Sequence, residues 1–329
     1  MIIITDVLEV ENLKFEKLNH NHVEQAARLA QSQYNDERSI LPILPKQSYE
    51  SFCNRVFKMV DQNLGFVALE NKSVIGFMSF YGPIDNLFSS YPGVYGPIHG
   101  NGSIKEGRDA IYARLYEKAA DHLVSQGLFT HGIGIYAHDT ALTQTLFWNG
   151  FGHRCIDAVR NLDSIACRIP EGFDIQELCV DEFLKVKALN DDLTLHLRKS
   201  PAFMPRNVSS DAEFIHNAKS GGARFFSMNY LGEVVAFIKA SPKGENFATQ
   251  DKGMMNVCGA YMKPEFRGNG VYTSLLSHLI DVLKGEGYVS LGVDYETINA
   301  TASAFWGKYF TPYTYSLVRR IDERILDIT

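Results

Sequence analysis

The sequence predicts an α/β protein with mixed sheets, built from two tandem domains of one kind. Three observations predict it. The chain has 329 residues, more than the roughly 100–200 usual for one domain. It also resembles itself. A shift of about 160 positions lays Leu18 on Leu178, Leu29 on Leu189, Val74-Ile75-Gly76-Phe77 on Val234-Val235-Ala236-Phe237, and Leu115, Leu123 and Gly127 on Leu275, Leu283 and Gly287. One offset kept through helices, strands and turns points to duplication. Finally, strand-like alternation and helical i, i+3, i+4 spacing succeed each other in both halves, as in a mixed sheet covered by helices.

The elements follow in order. The opening residues MIIITDVLEVEN read as a strand rather than a signal peptide, because a basic n-region is lacking. Each half then has a short strand (13–18; 173–178) and a helical stretch, marked by Phe183, Val186 and Leu189 in the second half. A less regular segment follows, with Pro42 and Pro45 in one half and Pro201 and Pro205 in the other. Two strands pair across a turn (65–70 with 73–80; 223–229 with 233–240). Another strand runs through a loop into a helix (109–125; 271–285). A buried strand (130–137; 288–295), a helix and a last strand (153–162; 313–321) complete each half. The joint is expected near 162–172, where Arg168-Ile169-Pro170-Glu171-Gly172 carries turn chemistry. The domains are accordingly placed at 1–164 and 165–329.

Composition narrows the function classes. The net charge of −6 argues against nucleic acid, whose phosphates call for a basic face. Five widely spaced cysteines without C-x-x-C suit neither a disulfide framework nor a zinc site, and a cytoplasmic setting is expected. No apolar run approaches the roughly 18 residues of a membrane span. The ten histidines, among them His20, His22, His131 and His138, form no H-E-x-x-H set, so no metal is assigned. The sequence sets no oligomeric state, and a homodimer is compatible with it.

The sharpest segment is Val257-Cys258-Gly259-Ala260-Tyr261-Met262-Lys263-Pro264-Glu265-Phe266-Arg267-Gly268-Asn269-Gly270-Val271-Tyr272-Thr273-Ser274-Leu275-Leu276. An apolar strand ends at Pro264, a glycine-rich turn follows, and a helix begins at once. Such a turn aims backbone N–H groups at one point, and the helix dipole adds positive charge there. A pyrophosphate is the natural guest. The third glycine of G-x-G-x-x-G is replaced by Thr273, and no Gly-Lys-Ser/Thr is present, so neither a dinucleotide fingerprint nor a P-loop is indicated.

Pro264-Glu265-Phe266-Arg267-Gly268-Asn269-Gly270 with Leu275-Leu276 resembles the R-x-x-G-x-G/A motif of the GNAT acetyltransferase superfamily. Leu291, Val293, Asn299, Ala302, Phe305 and Lys308 resemble its later pattern L-x-V-x-x-x-N-x-x-A-x-x-F-Y-x-K. The resemblance covers most of 173–322 and, through the repeat, more weakly 13–162. It implies two tandem GNAT-like domains and acetyl-CoA as co-substrate. Tyr261 and Met262 would pair with the pantetheine arm, and N–H groups from Arg267 through Gly268, Asn269, Gly270 and Val271 to Tyr272 would hold the pyrophosphate. Asn299 would lie beside the pantetheine or thioester, and Phe305 would pack on the cofactor. Asn299 also reads as a helix N-cap.

The chain departs from that pattern in several places. Tyr272 stands where the family prefers Gly or Ala. Trp306 stands where the family often has the tyrosine that protonates the departing thiolate, and an indole is no proton source near neutral pH. Tyr309, one turn on, is the nearest substitute. Asp294 and Glu296, expected to leave the end of the buried strand on opposite faces, are the candidates for the base. In the first half Gly107-Arg108-Asp109-Ala110 replaces the loop, Asp109 would repel a pyrophosphate, and Leu142 replaces Ala302. That half is expected not to bind acetyl-CoA productively, with Gly100-Asn101-Gly102 as an alternative anion turn. The expected activity is transfer of an acetyl group to a small-molecule or peptide amine by direct attack. The alternative is an acyl-CoA-binding regulatory or scaffold protein without transfer activity. Residues 35–49 and 191–205 are expected to line the acceptor pockets.

Overall fold

A computed structural model of the chain describes residues 13–328. The strand expected over MIIITDVLEVEN lies outside them. The described residues form two compact units, one of residues 13–42, 46–155 and 313–328, the other of residues 43–45 and 156–312.

In the first unit β1 (Lys14–Lys17), β2 (Phe66–Glu70), β3 (Ser73–Met78) and β6 (Asn101–Ser103) form an antiparallel sheet in that order. A second set runs β4 (Tyr81–Ile84), β5 (Gly93–Gly96), β7 (Thr130–Tyr136) and β14 (Thr311–Arg320). Here β5 and β7 are parallel, and β14 lies antiparallel to β7 from Thr314↔Tyr136 to Arg320↔Thr130. The last strand of the chain therefore belongs to the first unit. Its helices are α1 (Val23–Ile40), α2 (Tyr49–Val60), α3 (Arg108–Ser125) and α4 (Thr140–Trp148). Ile111, Leu115 and Tyr116 of α3 meet Ile75, Ile133 and Leu317 in its core.

The second unit is one sheet in the order β8 (Gly152–Asn161), β13 (Ser290–Glu296), β12 (Met254–Met262), β11 (Glu233–Ser241), β10 (Arg224–Tyr230), β9 (Phe173–Leu178). Of β8, residues 156–161 lie in this unit. Its helices are α5 (Lys187–Arg198), α6 (Asp211–Ser220), α7 (Val271–Gly285) and α8 (Ala300–Tyr309). Strand alternation sorts the side chains onto two faces. Ala236, Ile238, Met255, Leu291, Val293 and Tyr295 meet α7 through Leu275, Leu276, Leu279, Ile280 and Leu283. Phe225 and Phe237 meet Leu189 of α5 and Phe214 of α6 on the other face. The five apolar residues of α7 have no exposed surface, which is worth about 1.5–3 kcal/mol each. Packing therefore anchors this helix, and its first turn is fixed in space.

The expected hairpins form. Asn71 and Lys72, and Leu231 and Gly232, have φ of 48°, 69°, 49° and 87°, the left-handed pair that matches strand twist. The segments expected to be irregular contain helices instead. Ser48 caps α2 by accepting from Ser51 N at 3.1 Å. Ser210 and Glu213 form a capping box at α6. The prolines precede these caps, so they end one element without breaking the next. Among the described residues no helix is long and apolar enough to cross a membrane. The five cysteines are free thiols.

Candidate functional site

The site begins where two parallel strands separate. β12 pairs with β13 only from Met254↔Ser290 to Val257↔Val293, yet it stays paired with β11 as far as Met262↔Ala236. Register slips at Cys258, because Lys239 faces Gly259 while Ala240 faces Val257. A bulge of this kind bends a strand and ends pairing on its far side. Past Cys258, β12 has one edge without a strand partner. Lys263 N donates to Val235 O at 3.0 Å, so by alternation the N–H groups of Ala260 and Met262 point to that open edge.

The glycine loop stands at the end of this fork. Gly268 and Gly270 have φ of 107° and 74°, which L side chains rarely adopt, and a Cβ on either would meet nothing within 4 Å. The loop therefore requires glycine for its backbone, beside open space. Gly270 is the N-cap of α7 and brings no capping side chain. The N–H groups of the first turn, Val271 to Thr273, lack intrahelical acceptors and carry the positive end of the dipole. The Arg267 side chain turns back, donating from Nε to Met262 O at 3.0 Å and lying 5.4 Å from the Tyr261 ring. It ties the loop to β12. Tyr272 points beneath the loop, donating to Phe237 O at 2.9 Å. Burial holds its hydroxyl well above the usual phenol range.

Loop, open edge and α8 enclose a cleft of about 450 Å³, whose wall includes Tyr261, Met262, Arg267, Gly268, Gly270, Tyr272, Asn299, Phe305 and Tyr309. Of the residues expected around a cofactor, Asn269 and Val271 are not on this wall. Asn269 faces an adjoining cavity and Val271 is buried in the core. Among the described residues no carboxylate lines the cleft, whereas Arg267, Lys308 and His196 do. Its apolar and cationic wall suits a long ligand with an anionic end. Asn299 is the N-cap of α8, its Oδ1 accepting from Ala302 N at 3.3 Å, and it lines the cleft as well. Phe305 packs edge-on against Tyr272 at 5.1 Å. Trp306 is buried against Phe305 and Phe310. The Tyr309 hydroxyl lies 2.9 Å from Thr273 Oγ1, at the loop end.

Asp294 and Glu296 do not leave β13 on opposite faces. Residues two apart on a strand share a face. Val293 and Tyr295 take the α7 side, which leaves both carboxylates on the other. Asp294 is the first residue past the last β12–β13 pair, at the throat of the fork. Burial, and then the negative Glu245, Asp157 and Glu296 nearby, push its carboxyl up to about 7. Tyr309 thus packs with the α7 side of the sheet and Asp294 points to the side of α5 and α6, while the cleft wall draws on both, with Leu193 and His196 of α5 beside Phe305 and Tyr309 of α8. Asp157, Glu245 and the bulge at Cys258 went unremarked in the sequence, whereas Leu193 and His196 belong to residues 191–205, expected to line an acceptor pocket, and lie on the wall of this cleft. A glycine inside a strand, here Gly259, is a known sign of a bulge. Asp157 and Glu245 come from remote segments and left no local sign.

The matching place in the first unit is filled. The strand equivalent to β12 is split into β5 and β6, and Asn101 Nδ2 donates to Gly134 O of β7 at 3.0 Å. Asn101, from the turn Gly100-Asn101-Gly102, is thus engaged by the protein itself. Arg108 donates to Asp139 Oδ2 at 3.1 Å, to Ile104 O and to Ser103 O. Gln33 donates to the same Asp139 oxygen and to the Tyr112 hydroxyl, both at 2.8 Å.

The second unit is thus a mixed α/β sheet that forks beside a glycine loop, with a helix starting behind it. The sequence profile of the Acetyltransferase (GNAT) family matches residues 192–310. A GCN5-related N-acetyltransferase from Sphaerobacter thermophilus is similar at 11% identity and a TM-score of 0.58, covering 96% of this chain and 97% of that one. A GCN5-related glucosamine N-acetyltransferase region of a fungal multi-domain β-N-acetylglucosaminidase gives 13% identity and a TM-score of 0.52, covering 96% of this chain and 39% of that one. A tandem GNAT protein from the clavulanic acid pathway aligns at 15% identity and a TM-score of 0.44, covering 94% and 98%. At these identities the likeness concerns the fold. No curated protein matches the sequence.

Proposed function

We propose that the chain is an acetyl-CoA-dependent N-acetyltransferase, acting on a primary amine of a small molecule or peptide, with its active site in the second unit. Residues 165–329 would be the donor-binding domain in sequence and residues 1–164 its degenerate counterpart. The single observation carrying this reading is the open edge of β12, leading from the bulge at Cys258 to the uncapped first turn of α7. An extended pantetheine arm adds to that edge as a strand would, and its diphosphate meets the N–H groups that need an acceptor.

Each group then has a task. The N–H of Met262 or Ala260 polarises the thioester carbonyl. Asp294 takes a proton from the incoming ammonium on the other face of the fork. A base that titrates near 7 is well matched to that work. The amine attacks the carbonyl carbon, the carbon–sulfur bond breaks, the thiolate takes a proton from Tyr309, the proposed acid, and the second proton released by the new amide nitrogen passes through solvent to restore the phenol. No covalent enzyme intermediate is formed. The free thiols suit a cytoplasmic setting.

One observation favours the inactive acyl-CoA-binding alternative: buried Trp306 supplies no proton. The two readings separate by experiment. Calorimetry with acetyl-CoA should register binding for both, and no heat would end both. Thiol release from acetyl-CoA over a panel of amines is expected for the enzyme. Binding without release with any of them would favour the alternative.

A further inference from the structure

We propose that His196 is a second proton acceptor of the transfer, taking the proton that the nitrogen sheds after it has attacked the thioester. The inference rests on the acetyltransferase reading above and gives a residue to a step which that reading leaves to solvent.

The last turn of α5 carries His196. Leu193 and His196, three apart and so on one face of the helix, both reach the wall of the donor cleft. The His196 ring lies 6.4 Å from the ring of Tyr261. Tyr261 stands between Ala260 and Met262, whose N–H groups point to the open edge of β12. The imidazole is therefore set along the stretch of strand proposed to hold the thioester, past the throat at Asp294 and short of the glycine loop.

The surroundings leave the imidazole free to take a proton. Among the described residues it makes no hydrogen bond and no ion pair. It is half-buried, so a proton it has taken can pass on to water. Burial and then Asp192 raise the Tyr261 hydroxyl, Arg267 opposing and Glu265 adding to the shift. The negative Asp192, four residues before His196 on the same face of α5, thus lies near this spot, and an anion favours the imidazolium. The carbonyl end of the helix favours it too. The rest of the ionisable wall consists of the cations Arg267 and Lys308 and of phenols. An imidazole is the side chain that takes up and gives up a proton near neutrality.

The chemistry has a use for such a group. Asp294 takes the first proton and turns the ammonium into a nucleophile. The nitrogen that has attacked still holds two protons, is positively charged, and must lose one to become a neutral amide. His196 takes it as the carbon–sulfur bond breaks and its electron pair leaves with sulfur. The imidazolium then returns the proton to solvent. In the first unit the matching place holds Asp36, paired with Lys105 at 3.1 Å.

Thiol release from acetyl-CoA, with the fastest amine of a panel, tests this on the intact chain. His196→Ala should lower kcat about 100-fold. Its acetyl-CoA affinity by calorimetry should stay within about twofold of wild type, which also shows that the variant is folded. Added imidazoles should restore part of the rate, the stronger bases more, as a proton acceptor requires and a packing role does not. His196→Gln keeps polarity without basicity and should be as slow as His196→Ala. An unchanged kcat in His196→Ala, a wild-type rate in His196→Gln, or a loss that no imidazole restores overturns the assignment while the acetyltransferase reading stands. No thiol release by the wild type with any amine of the panel overturns that reading instead.

Discussion

The starts of α7 and α3 hold matching places in the repeat and do opposite things. α7 begins at Val271 behind a loop whose two glycines have positive φ. α3 begins at Arg108, three residues before the position that matches Val271, and Ile111 N already donates to Gly107 O at 3.0 Å. Arg108 and Ala110 stand where Gly268 and Gly270 stand, and both are good helix formers. The helix has grown by nearly one turn through the space a diphosphate would use. Its first side chain, Arg108, then settles on Asp139, the counterpart of Asn299. A helix terminus binds an anion only where the preceding residues are kept out of the helix, and two glycines decide that here.

The largest effect is expected at the fork. Asp294 has Gly134 as its counterpart, so only one unit has a carboxylate at this place. A carboxylate base works when deprotonated, so the transfer rate should rise with pH through about 7, where Asp294 titrates. Asp294→Asn should lower kcat about 10²–10⁴-fold and flatten that rise, with acetyl-CoA affinity little changed. A pH–rate profile that keeps its shape would remove Asp294 from the mechanism.

Next comes the ion pair of the first unit. The Arg108 and Asp139 side chains are 11% and 1% exposed. Arg108→Ala leaves a buried carboxylate without its cation and should cost about 3–5 kcal/mol of stability, read by denaturant unfolding. The stoichiometry of coenzyme binding should not change. A second bound equivalent in the variant would mean that Arg108 alone had been blocking a working site.

Gly268→Arg with Gly270→Ala writes the first unit's residues into the second. Forcing positive φ on two side chains costs about 1–3 kcal/mol each. Coenzyme affinity should fall on the order of 100-fold as α7 extends backward. Circular dichroism should stay close to wild type. Undiminished affinity would show that the glycines are not what keeps the loop open.

The smallest effect is expected at Tyr272. Tyr272→Phe removes one hydrogen bond, to Phe237 O, and should cost about 1 kcal/mol of stability, with coenzyme affinity unchanged. A marked loss of affinity would instead place the hydroxyl in the ligand site.

Much of this comparison is legible in the residues. The range 271–285 expected for the helix is the range of α7, because a glycine start and a 3.6-residue apolar stripe are local signals. Both hairpins are local too. The helices α2 and α6 were hidden by the prolines before them, although Ser210 and Glu213 at capping-box spacing announce the second. The bulge at Cys258 had a faint sign in Gly259. The grouping of Asp157, Glu245 and Asp294 had none, because it joins β8, the loop after β11 and β13.

The sequence by itself determined the duplicated α/β plan, the glycine loop and the loss of that loop in the first half. Each depends on residues close together in the chain, where φ preference and side-chain period act directly. Only the tertiary structure decided that β14 lies beside β7, that β12 and β13 part after Val257 and Val293, and that an aspartate at the parting titrates near neutrality. Strand partners are chosen by packing across the whole sheet, and a carboxyl group responds to burial and to charges that the fold, rather than the local sequence, brings near it.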